Sequence, residues 1–318
     1  MSSESAALNA ASGALPRENW RLRYPALARF ARSAISVSAL CCILFILFAT
    51  LFGPPLWGVD PIAQDFALIG DPQGPTAAHP MGTDFHGRDL LARVLLGARI
   101  SISVGIMSMC INLLIGVTVG TLAAWFGGWF DLMVMRIVDA LYSIPLLLIV
   151  ILLQIFVKPI MEALIPADAN VPLMFTPDLI SIYLALGVAN WLTMARLARA
   201  EVLNQAGRDY VSAARSLGAG NVRILTRHVL PNCMAPLVVA ATLAIPEAIY
   251  VEAFLSFIGL GVSPPLASWG SLASDAVRSI GESPHELLFP ALAISFTMLA
   301  FILFGDGLRD ALDPSAKR

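Results

Sequence analysis

The sequence predicts an all-α protein that crosses a lipid bilayer six times, and three observations carry that prediction. Hydrophobic residues fill 58% of the 318 positions and charged residues only 13%, about half the roughly 25% of a soluble globular chain. Mean hydropathy over the whole chain is +0.77, which leaves too few polar side chains to cover a water-facing surface. Six apolar runs are long enough to serve as spanning helices, each of which needs about 20 residues to cross a core of roughly 30 Å.

The runs justify themselves in order. Residues 33–52 give 20 positions without a charge. This run follows a 32-residue polar lead and ends in Phe-Gly-Pro-Pro, unlike a cleaved secretory leader with its short apolar region and small-residue cleavage site. Residues 100–126 give 27, and 132–157 give 26 interrupted by Arg136 and Asp139. Residues 179–195 give 17, in a helix expected to continue past Arg196. Residues 235–258 give 24 and hold Pro246, Glu247 and Glu252, and residues 287–305 give 19 uncharged positions.

Lys and Arg set the orientation, because they collect in cytoplasmic loops. The N-terminal tail, 1–32, holds Arg17, Arg21, Arg23, Arg29 and Arg32. The connection between the fourth and fifth spans holds Arg196, Arg199, Arg208, Arg215, Arg223 and Arg227. With Arg136 and the tail residues Arg309, Lys317 and Arg318, one side carries fifteen. The other side has Arg88, Arg93, Arg99, Lys158 and Arg278 against eleven acids. Both termini, including the 309–318 tail, are therefore expected in the cytoplasm. The 53–99 segment is expected outside, irregular in its Pro- and Gly-rich first half, with 88–99 (RDLLARVLLGAR) as an interfacial helix. The opening stretch 1–14, rich in Ser and Ala, reads as disordered.

Enzymatic and metal chemistry find no anchor. Net charge is −2, which gives no footing for nucleic acid. No P-loop and no H-E-x-x-H is present, and His79, His86, His228 and His285 are scattered through loops. Cys41, Cys42, Cys110 and Cys233 lie in or beside apolar runs without metal-binding or disulfide spacing. Gly305-Asp306-Gly307 approaches the G-x-G-D of intramembrane aspartyl proteases, but Leu303 stands where the first Gly is needed. No catalytic residue, no metal ligand and no cofactor site is assigned to this chain.

Charges at membrane depth are costly and mark function by default. Arg136 and Asp139 stand three apart on a helix and are expected to pair locally. Glu247 and Glu252 have no intrahelical partner and should face protein or a water-filled cavity. With Asp139 and Asn190 they are the candidate pathway residues. Gly116 and Gly120, four apart in the second span, permit close approach of another helix.

The most informative stretch is 204–233, NQAGRDYVSAARSLGAGNVRILTRHVLPNC. Asp209 suits an N-cap, Tyr210, Val211, Ala213, Ala214 and Leu217 give helical spacing, and Gly218 suits a left-handed terminator. A short helix outside the bilayer follows, with small alanines exposed for docking into a groove on another protein. A second helical stretch, 221–229, leads to Leu230-Pro231, where the fifth span begins.

This stretch resembles the signature cytoplasmic loop of permease subunits of bacterial ABC importers, E-A-A-x3-G-x9-I-x-L-P. Ser212-Ala213-Ala214 stands at E-A-A, Gly218 follows after three residues, and Leu230-Pro231 closes the pattern. Ser212 replaces the family's Glu, which removes the carboxylate of a capping box and one charge contact, and His228 replaces its Ile. Further segments resemble the dipeptide/oligopeptide branch: His79-Pro80-Met81-Gly82-Thr83-Asp84, Gly87-Arg88-Asp89, Gly97-Ala98-Arg99-Ile100-Ser101, Phe254 to Gly261, Ser268-Trp269-Gly270, and Gly305 to Pro314. The likeness runs from about residue 20 to 314 and is nearest the C-type permease subunit.

The resemblance implies a type I ABC importer permease fold in the bacterial inner membrane, with a five-helix core over 100–308 and the coupling loop at 204–232. It implies a B-type permease partner, one or two cytoplasmic ATPases that hold the ATP and Mg, and an external solute-binding protein. The implied coupling residues are Asp209, Tyr210, Ser212, Ala213, Ala214, Gly218, Leu230 and Pro231. Nickel, glutathione and peptide systems share these motifs, so the branch leaves its solute open. The competing class is a carrier driven by an ion gradient, coupled through Asp139, Glu247 or Glu252.

Overall fold

A computed structural model of the chain describes residues 25–166 and 171–312. The expectations for the stretch 1–14, for Arg17, Arg21 and Arg23, and for Asp313, Pro314, Lys317 and Arg318 lie outside those bounds. Among the described residues every element longer than an isolated bridge is helical, with an irregular segment at 58–89, and six helices are long and apolar enough to cross a membrane.

A short helix α1 (Pro25–Phe30) precedes the first span, α2 (Ala34–Trp57). The Ser33 hydroxyl caps α2 by accepting from the Ser36 amide at 3.2 Å. The second, α3 (Leu90–Phe126), runs 37 residues unbroken, about 55 Å at 1.5 Å per residue. The interfacial helix expected at 88–99 is thus no separate element, because its helical spacing continues in register into the apolar run. Asp89 starts α3, its Oδ1 accepting from the Ala92 amide at 2.7 Å.

The motif before α3 is a folded knot that fixes this start. Asp84 Oδ1 accepts from the amides of His86 and Arg88, both at 2.9 Å, and its Oδ2 pairs with Arg88 Nε at 2.7 Å. His79 Nδ1 lies 2.8 Å from Asp89 Oδ2, and Trp57 Nε1 donates to Asp89 Oδ1 at 3.2 Å.

The predicted third span, 132–157, is corrected to two helices, α4 (Gly128–Tyr142) and α5 (Leu146–Leu164). Ser143, Ile144 and Pro145 separate them, because the ring of Pro145 keeps the preceding residue out of helical backbone. Arg136 and Asp139 therefore sit on α4, outside the spanning α5. The fourth span, α6 (Pro177–Ala206), continues past Arg196 as expected. After the short α7 (Asp209–Ser216), the fifth span is one continuous element, α8 (Asn221–Phe257). Its regular α-helix begins at Leu230 as expected, and the helical stretch 221–229 runs into it. A π-turn at Leu225–Val229 precedes Pro231, and the Leu230 amide donates back to the Leu225 carbonyl. Pro231 cannot donate to Arg227, so the backbone widens there rather than breaking. A helix α9 (Trp269–Ala276), capped by Ser268, and the last span α10 (His285–Leu312) complete the chain.

The bundle is organised on α6, 61% of whose most apolar stretch is buried, against 11% for α5. The largest helix–helix interface is α3 against α6. A β-carbon on Gly120 would collide with the Ala195 carbonyl, and one on Gly116 would lie 2.5 Å from Met194 Cβ. The Gly116/Gly120 pair is thus the seam the two backbones share. Glycine is used there because van der Waals packing, not the hydrophobic effect, holds helices together in lipid.

Candidate functional site

Helix α7 is placed by the two spans on either side of it. Val211 is 1% exposed and packs among Ala198 and Val202 of α6 and Ile224 and Val229 of α8. Burying one such side chain contributes about 1.5–3 kcal/mol. The Tyr210 hydroxyl donates to Gln205 Oε1 at 2.9 Å, and Asn232 Nδ2 reaches the Tyr210 hydroxyl at 3.5 Å, so one ring bridges both helices. Asp209 is not the N-cap. Arg208 holds that position with extended backbone and no side-chain cap, leaving Asp209 in the first turn, where its charge suits the helix dipole.

The far end of α7 is a complete Schellman motif. Gly218 has φ +84°, its amide donates to the Arg215 carbonyl at 3.0 Å, and the Ala219 amide donates to the Ala214 carbonyl at 3.1 Å. Nothing lies within 4 Å of where a Gly218 β-carbon would be, so backbone conformation alone demands glycine here. Ser212, Ala213 and Pro231 are exposed, while Ala214 and Leu230 are half-buried. Beside Ala213, Leu217 is 88% and Val222 75% exposed, two large apolar side chains that sequence reasoning did not single out as surface. A hollow of about 320 Å³ beside them is lined by Ala214, Leu217, Gly218 and the basic trio Arg223, Arg227 and His228.

The candidate pathway residues divide into two places. Glu247 and Asn190 line one cavity of about 330 Å³, together with Thr193, Tyr142 and Pro145. Asp139 joins its edge indirectly: it pairs with Arg196 at 2.6 Å, and the Arg196 guanidinium lies 4.1 Å from the centroid of the Tyr142 ring. The expected local Arg136–Asp139 pair is corrected accordingly, since Arg196 offers Asp139 its guanidinium from the neighbouring helix. Two turns earlier on α4, Asp131 accepts two 2.6 Å hydrogen bonds from Arg199, which hold its carboxyl below the usual carboxylate range. These two pairs tether α4 along α6.

Glu252 lies elsewhere. It is 0% exposed, accepting from Ser101 Oγ at 3.1 Å and Ser256 Oγ at 2.7 Å. Ser256 reaches Ser268 Oγ at 3.1 Å, and the Trp269 amide donates to Ser101 Oγ at 3.2 Å. Glu252 therefore joins α3, α8 and α9 from inside this chain, the protein-facing one of the two environments expected for it. Ser256 is one helical turn away, but Ser101 belongs to a different span far upstream, and no local spacing in the sequence announces it.

The comparisons with known proteins agree with this architecture. The family model for the "Binding-protein-dependent transport system inner membrane component" matches residues 116–318. The chain is 37% identical over 316 residues to the oligopeptide transport system permease protein OppC of Bacillus subtilis, covering 99% of this chain and 97% of that one. It is 40% identical over 292 residues to the dipeptide transport system permease protein DppC of the same organism, covering 91% and 85%. It is 36% identical over 302 residues to the glutathione transport system permease protein GsiD of Pectobacterium atrosepticum, covering 95% and 91%. Among solved structures, an inward-facing MetNI methionine ABC transporter superposes with a TM-score of 0.54 at 20% identity, over 70% of this chain and 96% of that one. Six spanning helices, the α6-centred bundle and these likenesses agree: this chain is a multi-pass membrane protein of the binding-protein-dependent transport system inner membrane component family, a transport subunit and not an enzyme.

Proposed function

We propose that the chain is half of the translocation pathway of an ATP-driven importer of short peptides in the bacterial inner membrane, with both termini in the cytoplasm. It pairs with a B-type permease, docks one or two cytoplasmic ATPases, and receives solute from an external binding protein. ATP and Mg belong on the ATPases; this chain binds neither. The observation that carries the reading is α7, a helix closed by Gly218 and wedged between α6 and α8, with exposed Ala213 on it, Leu217 at its end and Val222 beside it at the start of α8. An ATPase groove that accepts these side chains moves both spans at once when ATP closes the ATPases, because Val211 and Tyr210 lock α7 to each. A gradient-driven carrier has no use for such a socket.

The pathway is assigned to the Glu247–Asn190 cavity, where a carboxylate meets the ammonium of an incoming zwitterion. A glutathione relative favours a second solute of the same kind, a peptide-like zwitterion. The test is uptake by proteoliposomes holding this chain, its permease partner, the ATPases and the binding protein. A labelled tripeptide should accumulate only when ATP reaches the ATPases, and glutathione serves as the competing solute. Accumulation driven by a proton or sodium gradient without ATP overturns the reading.

A further inference from the structure

The end of the bundle opposite α7 carries two adjoining cavities, one with an excess of acids and one with an excess of bases. One, of about 520 Å³, is lined by Asp84, Glu282 and Glu286. The other, of about 690 Å³, is lined by Arg93, Lys158 and Ser256. His86, Arg88, Asp275 and Arg278 belong to the walls of both. Each volume lies within the roughly 300–1,000 Å³ of small-molecule sites. Five Lys and Arg stand on this side of the sequence, and four of them, Arg88, Arg93, Lys158 and Arg278, line the larger cavity, with Asp275 as its one acid.

Each cavity is lined by one deeply buried charged residue, Glu286 in the smaller and Arg93 in the larger. Glu286 is 4% exposed; its Oε2 accepts from the Phe85 amide at 3.2 Å, and its Oε1 has no hydrogen-bond partner. Arg93 is 3% exposed; one terminal nitrogen donates to the Pro265 carbonyl at 3.0 Å, and its Nε has no partner. Burying an unsatisfied polar atom costs about 1–3 kcal/mol, more when it is charged, and these two residues of opposite sign line neighbouring cavities. Arg88 and Lys158 are already engaged, by Asp84 at 2.7 Å and by Asp178 at 2.8 Å. The entrance is open, since His86, Asp275 and Arg278 are exposed.

We propose that these paired cavities form an entry site for a zwitterion carrying a free α-ammonium and a free α-carboxylate. The carboxylate meets Arg93 and Arg278, and the ammonium meets Glu286. This rests on the peptide-import reading and deepens it: the permease itself, and not only the external binding protein, inspects both ends of the solute. Among the described residues no three of His, Cys, Asp and Glu are placed to hold a metal ion, and an ammonium is the cation that a single carboxylate oxygen suits.

The test uses the complete complex in proteoliposomes with an unaltered binding protein, and three probes: trialanine, its C-terminal amide and its N-acetyl form. Glu286→Gln should lower trialanine uptake about tenfold, as expected for one charged hydrogen bond, and bring the free-to-acetyl uptake ratio toward one while the free-to-amide ratio stays. Arg93→Gln should do the reverse, and Arg93→Lys should keep the wild-type ratios. Should Arg93→Gln fail to assemble, exposed Arg278→Gln carries this arm and should lower the free-to-amide ratio alone. Ratios unmoved in Glu286→Gln and Arg278→Gln, or an equal loss for all three probes as a docking defect would give, overturn the proposal while leaving peptide import intact. A wild-type complex that takes up no peptide overturns the import reading and this inference with it.

Discussion

The two ends of the bundle handle polarity in opposite ways. At the α7 end the one buried acid among the described residues, Asp131, is fully paired with Arg199, apolar Leu217 and Val222 stand in the open, and the short helix ends in its own Schellman hydrogen bonds. At the other end the charges are inside: Asp84, Asp89, Arg93 and Glu286 are each less than 9% exposed, and two of them keep unpartnered atoms. An exposed apolar surface that leaves no buried group wanting is built for another protein to cover. A polar interior with unsatisfied atoms is built to be completed by something smaller. Substitutions at the first end should therefore cost function and spare the fold, while those at the polar node beneath the second should cost the fold.

The largest functional loss is expected from Ala213→Trp, which places a bulky ring on the exposed face of α7. ATP-driven uptake should fall to background while the thermal midpoint of the purified chain stays within about 2 °C, as for a surface substitution worth less than about 0.5 kcal/mol. A drop of many degrees would mean that this face of α7 is core and would erase the contrast between the ends.

At the polar node, Glu252→Ala should lower unfolding stability by about 2–3 kcal/mol, because it strands the hydroxyls of Ser101 and Ser256 in a dry interior. Glu252→Gln keeps the acceptor and should cost less than half of that. Equal midpoints for wild type and Glu252→Ala in the assembled complex would show that the buried network contributes nothing.

A smaller effect belongs to the tether between α4 and α6. Asp131→Asn should cost about 1 kcal/mol, the scale of a well-aligned, partly exposed ion pair. The folded carboxyl titrates below the unfolded value of about 3.9, so the pair's contribution is complete above about pH 4 and is lost as pH falls through the folded pKa. The gap between wild type and variant should thus be flat from pH 6 to 8 and shrink below pH 4. A gap that grows on acidification would contradict the assignment. The smallest effect is expected from Glu247→Gln: assembly unchanged and peptide uptake altered about two- to threefold, the scale of one screened, solvated charge contact. Wild-type kinetics in this variant would remove Glu247 from the pathway.

Much of this was legible from sequence for identifiable reasons. Apolar runs report spans because a bilayer allows few alternatives, and the α7 terminator was visible because a helix that ends on a left-handed residue favours glycine. The Gly116 and Gly120 spacing foretold the α3–α6 seam, although not its partner. What escaped depends on contacts distant in sequence. Asp139 has Arg136 three residues away, yet takes Arg196, 57 residues on. Hydropathy ran 132–157 together because Ser143, Ile144 and Pro145 carry no charge to mark the break, and the one cue, Pro145, is also tolerated within α8 at Pro236 and Pro246. Glu247 and Glu252 looked alike, five residues apart on one helix, and only the fold separates a cavity wall from a buried node.

The central claim is that α7 is the ATPase dock, and Gly218→Val tests it most directly through the amount of ATPase that co-purifies with the chain. Valine meets no neighbour there, but a β-branched residue enters left-handed backbone only at a cost of about 1–2 kcal/mol, so the end of α7 must re-form and Leu217 must turn away. The account predicts that the variant reaches the membrane and binds its permease partner at wild-type levels while ATPase recovery falls at least about tenfold, the equivalent of about 1.4 kcal/mol of lost contact. Full ATPase recovery with wild-type uptake would contradict it and place the coupling contact elsewhere on the chain.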